Sequence, residues 1–368
     1  MQINYNDFAK EKKQNGIMKI ILEKAKQQLA QSLPFILYKK SNNNQIIGLL
    51  QKNDTLYSVS DFTEKGFVFA SFDGSKTFII PENESEIIST HFQEKEIAIL
   101  EKETEFLSEI AKTNFKNLVQ KGIQAIENNE FKKVVLSRKE SQDLVDFDSI
   151  EAFEKLVHLY PTTFVYCFYH PKIGTWLGAT PEQLLKAQNN EFHTMALAGT
   201  QKDSGLEEVI WPQKEQEEQQ FVTDYIVEKL KNVASDVLVS KPYTVKAGSI
   251  LHIKTDISGS LNSNEGLQEV IQLLHPTPAV CGFPKEKSKQ FILENEHYNR
   301  NFYTGFLGEL NMKNQSDLFV NLRCMEISGH QAHLFMGCGI TKDSLPEKEW
   351  EESINKSATM KKVLDLSY

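Results

Sequence analysis

Short runs of β-branched and aromatic residues recur along the chain, with amphipathic stretches between them at irregular intervals. That irregularity constrains the fold most, because a doubly wound parallel sheet needs strand and helix to alternate regularly, whereas an α+β architecture does not. Phe106, Ile110, Phe115, Leu118, Val119, Ile123 and Ile126 are spaced for one face of a helix over about 105–128, which Asn128-Asn129 can end. A β-branched run at 131–138 predicts a strand. A second helix is expected over 214–233, where Phe221, Val222, Tyr225, Ile226, Leu230 and Val233 form a stripe behind an acidic first turn. Further strands are expected at 164–169, 318–323 and 333–336, and further helices at Gly266–Leu274 and 349–363. The first hundred residues, with segments such as Gln45–Gln51 and 66–72, read as strands and edge elements that complete the core. No repeat and no Pro/Gly/Ser-rich linker divides the chain, so the expected class is α+β.

At 368 residues, 40% hydrophobic and 25% charged, the chain can bury a large core. Fifty acidic against 41 basic residues give a net charge of -9, which argues against a nucleic-acid surface. An acidic protein that binds a small anion must gather its cations in one pocket or recruit a metal. Met1, Gln2, Asn4, Asp7, Lys10, Glu11 and Lys12 open the chain without an apolar run that suits a signal peptide or membrane span, so a cytoplasmic protein is expected. Cys167, Cys281, Cys324 and Cys338 are too widely spaced for a zinc motif and read as buried thiols in a reducing compartment. Cys338, between two glycines, could instead belong to a site.

Five segments carry residues that packing alone explains poorly. Lys133 stands at the entrance of Val134-Val135-Leu136, where strand alternation sends either it or Lys132 inward; a partly desolvated lysine there could act as a general base, and an exposed strand lysine is the plain alternative. In Leu177-Gly178-Ala179-Thr180-Pro181-Glu182-Gln183-Leu184-Leu185, Glu182 lies beside apolar residues that could keep it protonated as a general acid; equally, Thr180 and Pro181 could simply start a helix. Ala196-Leu197-Ala198-Gly199-Thr200 reads as a small-residue turn able to offer backbone N–H groups to an anion. Lys214-Glu215-Gln216-Glu217-Glu218 sets Glu215 and Glu218 on one helix face, suited to a hard cation or to solvent. Last, after Gly337-Cys338-Gly339-Ile340-Thr341, helical steps of three and four put Glu349, Glu352 and Lys356 on one face, with Trp350 beside them.

Together and in this order, these segments resemble the chorismate-binding enzymes, a family that includes isochorismate synthases, salicylate synthases, anthranilate synthase large subunits and aminodeoxychorismate synthases. The resemblance runs from about residue 106 to the C-terminus. It implies an α+β fold of two large, mainly antiparallel sheets packed face to face with helices outside. The chain would be a single chorismate-binding domain, 1–368, in which 1–104 completes the core and 105–368 carries the motifs. It also implies Lys133 as general base and Glu182 as general acid. Glu218 and Glu352 would ligate Mg²⁺, with Glu215 and Glu349 as close or water-mediated partners. Ala198, Gly199 and Thr200 would contact substrate through their backbone, and His252 would line the pocket. Arg323 would grip a carboxylate, and Lys356 would lie beside the metal. Tyr303 and Gly305, and Gly337 and Gly339 in what reads as a Gly-x-Gly-Ile turn, fall on substrate-site positions. Gln219 departs from the usual histidine or asparagine, and Cys338 from the usual alanine.

Lysine at position 133 separates the chain from anthranilate synthases, which resemble it but usually have glutamine there and use ammonia. The loop at Ala196 to Thr200 differs from the Pro-Ile-Lys-Gly-Thr of aminodeoxychorismate synthases. Within His275-Pro276-Thr277-Pro278-Ala279-Val280-Cys281-Gly282, Ala279 stands where salicylate synthases typically have threonine, which favours an isochorismate synthase that stops before pyruvate leaves. Water as nucleophile makes a glutaminase subunit unnecessary, and a monomer that binds neither nucleic acid nor membrane is expected. The chemistry fits either menaquinone or siderophore biosynthesis.

Overall fold

The computed structural model describes residues 5–93, 108–203, 205, 209–247, 250–262 and 266–364. Every strand pairing in it is antiparallel, and the strands form two sheets. The nine-stranded sheet runs from Gly282–Phe283 at one edge through Lys133–Asp143, Gln331–Ile340, Cys324–Ser328, Gly174–Thr180, Phe164–His170, Phe35–Lys39 and Gln45–Gln51 to Ser85–His91. The ten-stranded sheet runs from Ala234–Val239 through Ile250–Leu261, Glu191–Lys202, Gln183–Gln188, Gln315–Val320, Phe306–Met312, Gly66–Ala70 and Thr77–Pro81 to Tyr57–Ser58, with Tyr243–Ala247 paired to Ile250–Leu261. This is the expected α+β class, and the N-terminal strands contribute to both sheets.

Period-two alternation decides which side chains meet between the sheets. Tyr38 and Ile36, Phe164, Tyr166 and Phe168, and Trp176 from one sheet join Phe67, Phe69, Leu307 and Phe319 from the other in a single buried cluster. Aromatic stacking is dense there, with ring centroids 4.3 Å apart for both Phe69–Phe302 and Phe164–Phe319. Such pairs add about 0.5–1.5 kcal/mol each beyond the area they bury. Neighbouring residues of the same strands, such as Phe35, Leu37, Val165 and Cys167, point the other way into a layer covered by helices.

Seven helices lie among the described residues: α1 (Tyr5–Ala30), α2 (Glu109–Glu127), α3 (Ser149–Leu159), α4 (Gln213–Leu230), α5 (Gly266–Leu274), α6 (Lys285–Asn295) and α7 (Pro346–Leu364). Helix α2 starts at an N-cap, Ser108, whose side chain accepts from Ala111 N; Phe106 lies outside the described residues. Asp148 caps α3 by accepting from Ile150 N and Glu151 N, a contribution of about 1 kcal/mol. Helices α4 and α5 pack on the outer face of the ten-stranded sheet, through Val222, Tyr225, Ile226, Val270, Ile271 and Leu274.

Three expectations are corrected. Helix α1 occupies a region read as strands and edge elements; Met18, Ile21, Leu22 and Ala25, at steps of three, one and three, bury its face against the nine-stranded sheet. Thr180-Pro181-Glu182 starts no helix but joins the strands Gly174–Thr180 and Gln183–Gln188. The small-residue segments at 196–200 and 337–341 are strand rather than turn, except for Thr341, which lies just past the end of its strand. The first pairs with Ile250–Leu261 and the second with Lys133–Asp143, and these partners supply the hydrogen bonds that propensity alone does not predict.

Candidate active site

A cleft of about 630 Å³, counting the part open to solvent, is lined by residues from both sheets and by α4 and α7. The strand pair Lys133–Asp143 and Gln331–Ile340 builds one wall. Gly339 lies opposite Val135 and Gly337 opposite Ser137, and pleating puts Lys133, Val135 and Ser137 on the same face. Lys133 is thus the inward lysine, fully buried, while Lys132 is exposed. Lys133 Nζ lies 3.0 Å from Glu218 Oε1 on α4. A Cβ at position 339 would sit 2.1 Å from that same oxygen, so the glycine makes the room that Glu218 occupies. Burial alone would raise the Glu218 carboxyl, but the ammonium groups of Lys133 and Lys214 outweigh it and hold the group down at about 2.

The opposite wall is the strand Glu191–Lys202. Its pairing with Ile250–Leu261 slips between Ala198 and Thr200, and Gly199 takes a φ of +75° at that bulge. The freed Gly199 carbonyl accepts from His252 Nδ1 at 3.0 Å, and Thr200 N donates to Glu215 Oε2 at 2.6 Å. With Nδ1 as the donor, His252 Nε2 is left as an acceptor 3.4 Å from Arg323 Nη2. Burial, with Arg323 and Lys356 nearby, lowers His252 to about 3, so it is neutral at physiological pH. Arg323 and Lys356 thus bring positive charge to the cleft. Burial lowers the Lys356 ammonium's tendency to stay charged, but Glu352 Oε1 at 2.6 Å reverses this, and Nζ also donates to Gly337 O at 2.9 Å.

Glu182 enters from the strand connection and is 4% exposed. Burial pushes its carboxyl up to about 8 against the pull of Lys133, Lys356 and Arg323, so it holds its proton at neutral pH. Pro181, Val135, Leu197, Val280, Leu322, Phe335 and Met336 make the rest of the wall apolar. Phe335 stacks on Trp176 of the inter-sheet core and on Tyr303, both at 5.4 Å, tying the cleft to the fold.

Beside this cleft, a second hollow holds Glu215, Glu349 and Glu352. Lys214 bridges Glu349 Oε1 at 2.8 Å and Glu215 Oε1 at 3.4 Å, and its ammonium is held charged by Glu349, Glu218, Glu215 and Glu352 despite burial. Burial raises Glu349 to about 7, with Glu352 adding to the effect and Lys214 opposing it, and burial likewise raises Glu215, reinforced by Glu218. Glu349 Oε2 is buried without a hydrogen-bond partner. Four oxygen-donor side chains with an orphaned carboxylate oxygen suit a hard divalent cation.

The structure therefore gathers the expected residues in one place. Glu182, Ala198, Gly199, Thr200, His252, Ala279, Tyr303, Arg323, Gly337, Gly339 and Lys356 all line the cleft, and so does Glu218. Lys133 reaches the site through Glu218, and Glu215, Glu349 and Glu352 adjoin it. Gly305 is the exception: a Cβ there would lie 1.8 Å from Ala70 O, so it serves close strand packing rather than the cleft. Gln219 points into the fold, donating to Thr223 Oγ1 and Thr255 Oγ1. Lys214 was not assigned a role from sequence, because a lysine in a charge run gives no local sign of burial.

A small, partly apolar cleft that pairs cations with a protonated acid, next to a carboxylate cluster, is suited to acid–base chemistry on a compact anion. The family model described as chorismate binding enzyme matches residues 72–365, and the chain belongs to that family. It is 32% identical over 271 residues to isochorismate synthase EntC of Escherichia coli K12, spanning 69% of this chain and 68% of that one. Isochorismate synthase MenF of the same organism is 31% identical over 270 residues, 69% of this chain and 61% of its own. The solved structure of MenF matches with a TM-score of 0.75 at 22% identity, covering 90% of this chain and 89% of that one, and DhbC from Bacillus anthracis with 0.77 at 23%, covering 91% and 97%. Both share the fold. No helix among the described residues is long and apolar enough to cross a membrane.

Proposed function

We propose that the chain is an isochorismate synthase, an isomerase that moves the ring hydroxyl of chorismate from C4 to C2 by adding water at C2 and releasing water from C4. One observation carries this reading: a glutamic acid kept protonated by burial, Glu182, shares a cleft with the cations Arg323 and Lys356, while a fully buried lysine, Lys133, lies behind Glu218. Relatives named isochorismate synthase support the choice of reaction.

Chorismate carries two carboxylates, and Arg323 and Lys356 supply charge-assisted hydrogen bonds to hold them. Lys133, charged at rest beside Glu218, first gives up its own proton to solvent. As the amine it takes the proton from the attacking water, and Glu182 gives its proton to the departing hydroxyl; each transfer is worth roughly a hundredfold or more in rate. Neutral His252, fixed by Gly199 and turned toward Arg323, orients that guanidinium rather than competing with it for charge. The apolar wall limits water at the ring to the reacting molecule.

Glu218 and Glu352, with Glu215 and Glu349, would hold Mg²⁺, and the orphaned Glu349 oxygen fits that role. When bound, the ion neutralises a substrate carboxylate and draws electron density from the ring. With water as nucleophile, the proposed reaction requires no subunit that supplies ammonia.

The test is incubation of purified protein with chorismate, with and without Mg²⁺, followed by chromatography. Magnesium-dependent isochorismate without pyruvate is expected. Salicylate with pyruvate would make the chain a salicylate synthase, and unchanged chorismate would overturn the enzymatic reading.

A further inference from the structure

Strand pleating turns Cys338 away from its neighbours Gly337 and Gly339, which face the substrate cleft, and toward α7. Its thiol is fully buried and donates to the Glu349 backbone carbonyl at 3.2 Å. Ligand atoms of Cys338, Glu349 and Glu352 all lie within 4.8 Å of one another. Glu349 Oε2, in a side chain 2% exposed whose other oxygen pairs with Lys214, has no hydrogen-bond partner; the same orphaned oxygen serves the Mg²⁺ reading, and the Cys338 sulfur is what distinguishes this donor set.

We propose that Cys338, Glu349 and Glu352 form a site for a thiophilic divalent cation of the zinc class. Carboxylates alone favour hard ions such as Mg²⁺, whereas a sulfur donor shifts preference toward softer first-row metals. With the Cys338 thiol proton released to solvent on binding, one sulfur and two oxygens make three protein ligands, leaving a position open for water or another donor, as in tetrahedral zinc sites. Cys167, Cys281 and Cys324 are also buried, but only Cys338 has carboxylates placed to complete a set among the described residues. Because Glu349 and Glu352 are also assigned to Mg²⁺ above, the inference rests in part on that reading, and it makes a zinc-class ion a competitor of Mg²⁺ for the same carboxylates.

The experiment titrates the purified full chain with Co²⁺ under reducing conditions and follows the near-ultraviolet thiolate-to-cobalt charge-transfer band, then displaces Co²⁺ with Zn²⁺. Mg²⁺ binding is measured in parallel by calorimetry. The wild type is expected to show the band, and Cys338→Ala and Cys338→Ser to lose it. Their Zn²⁺ affinity should fall by roughly a hundredfold, the upper end of what losing a merely supporting residue costs, with Mg²⁺ affinity unchanged. Zn²⁺ should inhibit magnesium-supported turnover of the wild type and do so more weakly in Cys338→Ala. No band in the wild type, or an undiminished band in both variants, overturns the proposal. If Mg²⁺ still binds in that case, the proposal alone fails; if neither ion binds, the carboxylate assignment fails with it.

Discussion

Glu182→Gln should make the protein more stable at neutral pH while it destroys turnover. The carboxyl titrates at about 8 in the folded protein, against an ordinary value of 4.5, because burial disfavours its charge. The folded state therefore binds the proton more tightly than the unfolded chain does, and this group's contribution is most favourable below pH 4.5. Stability is lost as pH climbs from 4.5 to about 8, at about 1.4 kcal/mol per pH unit. At pH 7 the cost is about 3 kcal/mol, and an uncharged glutamine of the same size removes it. Urea unfolding of wild type and variant from pH 4.5 to 8 reads this directly: the curves should nearly coincide at the acid end and diverge steadily in the variant's favour. A difference that does not change with pH, or a variant that is less stable at pH 7, would refute the burial argument. In the same samples, chorismate turnover should fall by roughly a hundredfold or more. Wild-type turnover should decline above about pH 8 as the acid loses its proton.

Gly339→Ala drives a methyl group into Glu218 Oε1 and forces the carboxylate off Lys133. It should lower turnover by roughly a hundredfold or more while costing only about 1–3 kcal/mol in a urea melt. Arg323→Lys keeps the charge but loses the forked geometry, and should raise KM for chorismate by roughly ten- to a hundredfold in steady-state kinetics. Arg300→Met breaks a buried bidentate pair, with Nε 2.8 Å from Glu296 Oε2 and Nη2 2.5 Å from Oε1. That leaves Glu296 uncompensated, and denaturant unfolding should show a loss of about 3–5 kcal/mol.

Much of this site was legible because its chemistry depends on residue types that packing rarely demands in one order. Glu349, Glu352 and Lys356 were placed on one face by helical arithmetic, and α7 delivers them so. What local reasoning missed shares a physical cause. Ala196 to Thr200 and Gly337 to Ile340 read as turns because small residues carry no strand signal; they are strands because their partners, Ile250–Leu261 and Lys133–Asp143, hold them, and their smallness leaves room for a ligand. Alternation could not tell Lys132 from Lys133, since facing depends on which side the second sheet covers. Helix α1 is a different case, for Met18, Ile21, Leu22 and Ala25 already carried its period.

Charge balance explains why such a site tolerates so much burial. Glu215, Glu218, Glu349 and Glu352 face Lys133, Lys214, Lys356 and Arg323, while Glu182 stays neutral and Glu349, raised to about 7, is partly protonated, so the bare site is close to neutral. Removing any one partner strands its opposite in a low-dielectric interior, which is costly. Under the proposed reading, a chorismate dianion alone would add two uncompensated negative charges, and a divalent cation alone two positive ones. Together they enter as a neutral pair. The two should therefore bind with positive coupling, each tightening the other by the same factor, as linkage requires. The acidic cluster is then not merely a metal cage: it leaves the cleft unfavourable to either ligand alone and favourable to both together.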